Sequence, residues 1–144
     1  MHELFLKQPA CKPRMGRVKR RGTATVECAV VLPVFVLLLL GTMEACSMIF
    51  LRQSVELAAY ESARAAVLPQ TTLVNVQSAG AALLTARNVK NFSITVSPTN
   101  FQSAAYGTFI RVTASAPVAN NSLFGSIFYQ NMNVVGSVDF MKEY

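Results

Sequence analysis

The sequence predicts an α+β fold: one long N-terminal helix, transmembrane in its first part and amphipathic in its second, followed by a small unit of one helix and about three antiparallel strands. Three observations carry this. Cys28–Met43 (CAVVLPVFVLLLLGTM) contains no charged residue. Residues 47–68 contain no Gly or Pro and are rich in helix formers. After Asn88 the composition turns to short alternating segments of β-branched and aromatic residues.

Residues 1–22 mix Pro9, Pro13 and Gly16 with basic side chains and show no helical or strand period, which reads as an unstructured cytoplasmic leader. From Cys28 to Leu51 a stretch of 24 residues carries one charge, Glu44. About 20 apolar residues suffice to span a bilayer, and LPVFVLLLLG leaves none of the polar face that a soluble core helix keeps. Basic residues before the span and few after it predict a cytoplasmic N-terminus and an external C-terminus. Pro33 lacks the N–H of the helical ladder and is expected to kink or loosen the helix.

Past the span, Met48, Leu51, Val55, Ala58, Ala59 and Ala66 share one helical arc, while Arg52, Gln53, Glu56, Glu61 and Arg64 share the other. The Arg52–Glu56 and Glu61–Arg64 spacings permit ion pairs worth roughly 0.2–0.5 kcal/mol each. One helix from about Thr25 to Leu68, stopped by Pro69, is the expected result. Thr71 or Thr72 can cap a second helix that buries Leu73, Val76, Ala79, Gly80, Leu83 and Leu84 and ends near Asn88. Strands are expected at Phe92–Val96, at Thr108–Ala116 with Phe109 or its neighbours facing a small core, and at Met132–Phe140, the last weakened by Gly136. Ser97-Pro98-Thr99-Asn100 reads as a turn and Asn120-Asn121-Ser122 as a loop. The expected divisions are a leader over 1–22, a helical segment over 23–68 and an extracytoplasmic α+β domain over 69–144.

The formal charge of +6 is unevenly placed. Seven of the 13 basic residues and one of the seven acids, Glu3, lie in residues 1–22, so the remainder of the chain is neutral. A nucleic-acid groove needs its cations on the folded surface, and this distribution argues against one. Cys11, Cys28 and Cys46 make no disulfide framework. Cys28 and Cys46 share a helical face but stand roughly 27 Å apart at 1.5 Å per residue. Residues 69–144 contain no cysteine and must hold together by packing. His2, in the leader, is the one histidine, so the rest of the chain offers no triad and no His/Cys metal set. There is no Gly-rich phosphate loop, and Asp139 and Glu143 read as solvated residues rather than a catalytic pair. The sequence therefore predicts no enzyme, no cofactor, no metal and no small-molecule substrate.

The informative stretch is Lys19-Arg20-Arg21-Gly22-Thr23-Ala24-Thr25-Val26-Glu27, which runs directly into the apolar segment. A secretory signal would put its small-residue cleavage site after the apolar run. Here the glycine lies before it. That order is similar to class III signal peptides, in which a prepilin peptidase cuts on the cytoplasmic side and leaves the apolar segment in the mature protein. The resemblance implies cleavage between Gly22 and Thr23, with Arg20, Arg21 and Glu27 as recognition and assembly elements, Glu27 being the fifth residue after Gly22. A carboxylate at the edge of a hydrocarbon span is costly unless paired. After such a cut, the Thr23 ammonium would lie one turn away or on an adjacent subunit. A plain N-terminal helix charge is the alternative reading of Glu27.

RRGTATVECAVVLPVFVLLLLGTMEACSMIFLRQSVELAAYESARAA resembles the N-terminal signature of the TadE-like family, minor pseudopilins of tight-adherence (Tad, Flp-type) pilus systems. The matching positions are Arg21 and Gly22, Val26 and Glu27, Leu32 and Pro33, Gly41 and Glu44, Arg52 and Gln53, and Ala63 to Ala65. The sequence departs from the family pattern at Cys28, where an aromatic is usual, and at Ala45-Cys46, where Phe-Gly is common. The resemblance implies a pilin-like helix in the bacterial inner membrane, whose partners are a prepilin peptidase, other pilins or pseudopilins and a pilus assembly platform. It also implies a role in assembling such a pilus or a related secretion apparatus, with adhesion or biofilm as the outcome. Glu44, 17 residues and about 25 Å beyond Glu27, either sits at the outer headgroup level or pairs with a basic group of another component. Two other readings of the chain remain: a single-span anchor carrying a small binding domain unrelated to pili, and a secreted protein cut near Ala45.

Overall fold

A computed structural model describes residues 21–124 and 129–143. Most of the basic leader, including His2, Cys11 and Arg20, lies outside the described residues. The elements run α1 (Arg21–Ala66), α2 (Leu73–Ala86), β1 (Ser93–Ser97), a 3₁₀ turn η1 (Phe101–Ser103), β2 (Phe109–Pro117), a second 3₁₀ turn η2 (Val118–Asn120) and β3 (Asn133–Met141). This is the α+β architecture the sequence predicts, each strand displaced by about one residue from its expected place.

The chain divides between Leu37 and Leu38 into two units. In the first, residues 22–37 are helical and exposed throughout. Pro33 lies inside α1, and the helix runs through it without a break. Its ring removes one donor, which frees the Ala29 carbonyl of the preceding turn. By length and composition α1 can cross a membrane.

The second unit contains the core. Leu51, Val55, Ala58, Ala59, Ala63 and Ala66 of α1 are buried, so the predicted apolar arc is the packed one. Ser54 and Ser62 join that stripe, which a hydropathy reading passes over. The predicted Arg52–Glu56 pair forms at 2.9 Å. Glu61 and Arg64 form no ion pair among the described residues; the few tenths of a kcal/mol such a pair supplies barely offset the ordering of two long side chains. The helix ends at Ala66, three residues before Pro69, because a residue preceding proline is pushed out of helical geometry.

Thr72 is the cap of α2, its hydroxyl accepting from the Asn75 N–H at 3.3 Å. The other end closes as a Schellman motif: Val89 N donates to Leu84 O at 2.9 Å and Asn88 N to Thr85 O at 3.0 Å. Asn88 takes the left-handed backbone this requires (φ 56°), and Leu84 and Val89 are both buried beneath it. Val76, Gly80 and Leu84 form the buried face of α2, while Leu73 keeps 40 % of its surface exposed.

The sheet has the order β1-β2-β3 with both pairings antiparallel. Ile94 and Val96 of β1 and Ile110, Val112, Ala114 and Ala116 of β2 point into the core. Phe109 lies on the opposite face and is exposed, so its neighbours carry the inward alternation. Gly136 is the buried residue of β3: a Cβ there would stand 2.9 Å from Glu56 Cα. The glycine that weakens the strand in isolation lets it lie against the backbone of α1. Tyr60 and Phe140 pack beside this contact with ring centroids 5.6 Å apart. Lys142 then ties the end of β3 to η1, donating to Phe101 O at 3.2 Å and Gln102 O at 2.7 Å.

Candidate functional site

Gly22 and Thr23 occupy the first turn of α1, and both are exposed. Around Gly22 no side chain of the described residues lies within 4 Å of where a Cβ would be. One turn further, Glu27 joins Ala24, Cys28, Val31, Leu32 and Phe35 along a shallow, mainly apolar groove on one helix face. That groove is the chemical content of this segment: an acid at the head of an apolar strip, with a glycine–threonine bond beside it. Val30, Val31, Val34, Phe35, Leu37 and Leu38 are each more than half exposed, a density of apolar surface that water does not tolerate. Gly41 likewise has nothing within 4 Å of a Cβ position, and Cys28 and Cys46 are free and exposed.

Glu44 is held by its own chain. The segment after η2 returns to α1, where Ser122 Oγ donates a short hydrogen bond to one carboxylate oxygen and the Phe124 N–H donates to the other at 3.2 Å. Asn121 fixes the approach of this loop. Its Oδ1 accepts from Lys90 N at 2.6 Å, while its Nδ2 donates to Lys90 O at 2.9 Å and Pro117 O at 2.8 Å. Arg87, just past α2, lies over the Phe50 ring at 5.5 Å and donates to Ser54 Oγ at 3.2 Å. Ser54 in turn donates to Phe50 O at 2.7 Å. One end of the second unit is therefore built from Glu44, Phe50 and Ser54 on α1 and from Arg87, Lys90, Asn121 and Ser122 arriving from three other segments.

Sequence reasoning singled out Gly22, Thr23, Glu27, Pro33 and Glu44, and these lie along one helix rather than converging. The partners of Glu44 come from 78 and 80 residues away, and only the Asn-Asn-Ser loop signal hinted at polar groups there. Among the described residues no group of three or more His, Cys, Asp or Glu side chains could hold a metal ion.

Comparison with known proteins bears on one part of the chain. Residues 22–64 match the model of a protein family described as TadE-like protein, the stretch on which the sequence resemblance rests. No curated protein and no solved structure matches the chain.

Proposed function

Taking the TadE-like character of residues 22–64 as the premise, we propose that this chain is a minor pseudopilin-like membrane protein that helps assemble a Tad-type pilus or a related secretion apparatus. A prepilin peptidase cuts it between Gly22 and Thr23, with Arg20 and Arg21 as the basic approach. The span of α1 anchors the mature protein in the inner membrane, and the α+β unit faces outward. The observation that carries this reading is the exposed Gly22–Thr23 junction at the head of an uncovered apolar helix, with Glu27 one turn behind it.

The chemistry follows from that order. Cleavage turns the Thr23 nitrogen into an ammonium at the start of the helix. Glu27 is then the nearest carboxylate, on the same chain or on a neighbouring pilin. Pairing offsets the cost of holding an acid at the hydrocarbon edge and fixes how far one helix slides along another. The apolar surface from Cys28 to Met43 supplies the lateral contact with other pilins, and the assembly platform receives the paired helices.

Mass spectrometry of the membrane-extracted protein tests the reading. A mature N-terminus at Thr23, lost when the prepilin peptidase is deleted or Gly22 is replaced by a bulkier residue, is the expected result. An intact leader in a peptidase-positive cell, or a start between Ala45 and Ser47, would overturn it.

A further inference from the structure

We propose that the Ser122–Phe124 loop is a lipid-contact element: latched to Glu44, it seats the α+β unit on the outer leaflet, with Leu123 entering the bilayer interface and the exposed Lys90 facing anionic headgroups. This rests on the reading of α1 as a membrane span whose later end faces outward.

Depth is the first argument. Glu44 is the first charged residue after the uncharged run Cys28–Met43, so it marks the outer edge of the hydrocarbon. A carboxylate at that depth needs donors, and water is scarce there. Ser122 Oγ and Phe124 N supply them, one to each oxygen. Groups bonded to a side chain at the hydrocarbon edge stand at that edge themselves. Leu123 lies between the two donors and is 57 % exposed, which puts an uncovered apolar side chain where lipid is the available solvent.

Charge is the second argument. Between Arg64 and Asp139 the sequence has Arg87, Lys90 and Arg111 and no acid. Arg111 is neutralised by Asp139. Arg87 and Lys90 have no acidic partner among the described residues, and both are tied to this end of the unit, one through Phe50 and Ser54 and the other through Asn121. Lys90, exposed and bonded through its backbone to Asn121 just before Ser122, and the exposed Leu123 just after it match an interface of anionic headgroups over acyl chains. A protein partner docking on this end would instead cover Leu123 away from lipid, which the test distinguishes.

The full-length chain with Cys11→Ser, Cys28→Ser and Cys46→Ser is given single cysteines at positions 123, 106 or 36, labelled with an environment-sensitive fluorophore and reconstituted into phosphatidylglycerol-containing vesicles. Lipids carrying a nitroxide near the headgroup or at the chain end act as quenchers. The expected result has three parts. The label at 123 loses fluorescence to the headgroup quencher. That at 36 loses it to the chain-end quencher, and that at 106, on the exposed Tyr106 turn before β2, responds to neither. Adding Glu44→Ala abolishes the quenching at 123 and leaves that at 36 unchanged. An unquenched 123 beside a quenched 36 overturns the lipid contact and leaves the span standing. An unquenched 36 overturns the span and the lipid contact with it. Quenching at 123 that survives Glu44→Ala overturns the latch.

Discussion

Gly80 and Ser62 show how a few atoms decide the approach of two helices. A Cβ on Gly80 would stand 2.2 Å from Ser62 Oγ, 2.7 Å from Ile94 Cδ1 and 3.0 Å from Ala58 O. The first two neighbours are side-chain atoms, but the third is backbone and yields less. Gly80→Ala should therefore destabilise the fold by about 1–3 kcal/mol, the usual cost of overpacking. Ser62 is fully buried, and its Oγ has no hydrogen-bond partner among the described residues. Ser62→Ala removes an unpaired hydroxyl, whose burial costs about 1–3 kcal/mol, and should leave stability unchanged or higher. It also takes away the atom nearest the Gly80 clash. Combined, the two changes should cost less than the sum of their separate effects, because they share one contact. Thermal unfolding of the whole chain in detergent, followed by circular dichroism, reads all three variants. Equal losses for Gly80→Ala with and without Ser62→Ala would show that Ile94 and the Ala58 carbonyl set the limit instead.

At the scale of the element, β2 and β3 are joined by more than their ladder. Arg111 and Asp139 are direct cross-strand partners, and the guanidinium donates twice, from Nε to one carboxylate oxygen and from Nη2 to the other, both at 2.7 Å. The hydrogen bonds from Arg111 hold Asp139 below the usual carboxylate range, and those to Asp139 raise Arg111 further above its own. A depressed folded pKa stabilises the fold above the ordinary Asp range, about 3.9, and that contribution disappears as pH falls through the lower folded value. The pair is solvent-exposed, so its effect is small and screened by salt. Asp139→Asn should flatten the acid side of the unfolding profile at low ionic strength and change it little at high salt, as a pH series of melting temperatures would show. Element identities were legible in the sequence because each leaves a local mark: an uncharged run for the first part of α1, a 3.6-residue period for its second part and for α2, and a period of two for the strands. The clip on Glu44 was not, because a carboxylate in a helix does not name a serine 78 residues away. Gly136 was read as a weak point because its value lies in the backbone of another element, which no local pattern encodes. Conversely, Gly22, Thr23 and Glu27 were singled out by their order along the chain, which needs no folding, and the role proposed for them is tested at the mature N-terminus.

For the whole molecule, the separation of charge divides the work. Residues 1–22 hold the net charge, the part of α1 in the first unit holds uncovered apolar surface, and the second unit holds the packed core. If Glu27 sets register between subunits, Glu27→Ala should still be cut after Gly22 but should be recovered less with the other pilins in a membrane pull-down. Undiminished recovery would assign Glu27 to the helix terminus alone. The order of the sheet has its own consequence for how such a chain matures. Neighbouring strands are also consecutive in sequence, and no strand waits for a partner that comes later than the next one. A polypeptide anchored by α1 and passed outward behind it would thus meet each partner already delivered: α1 before α2, β1 before β2, β2 before β3. Pairings of this local kind form quickly. With no cysteine in residues 69–144, none of it depends on an oxidase at the exit.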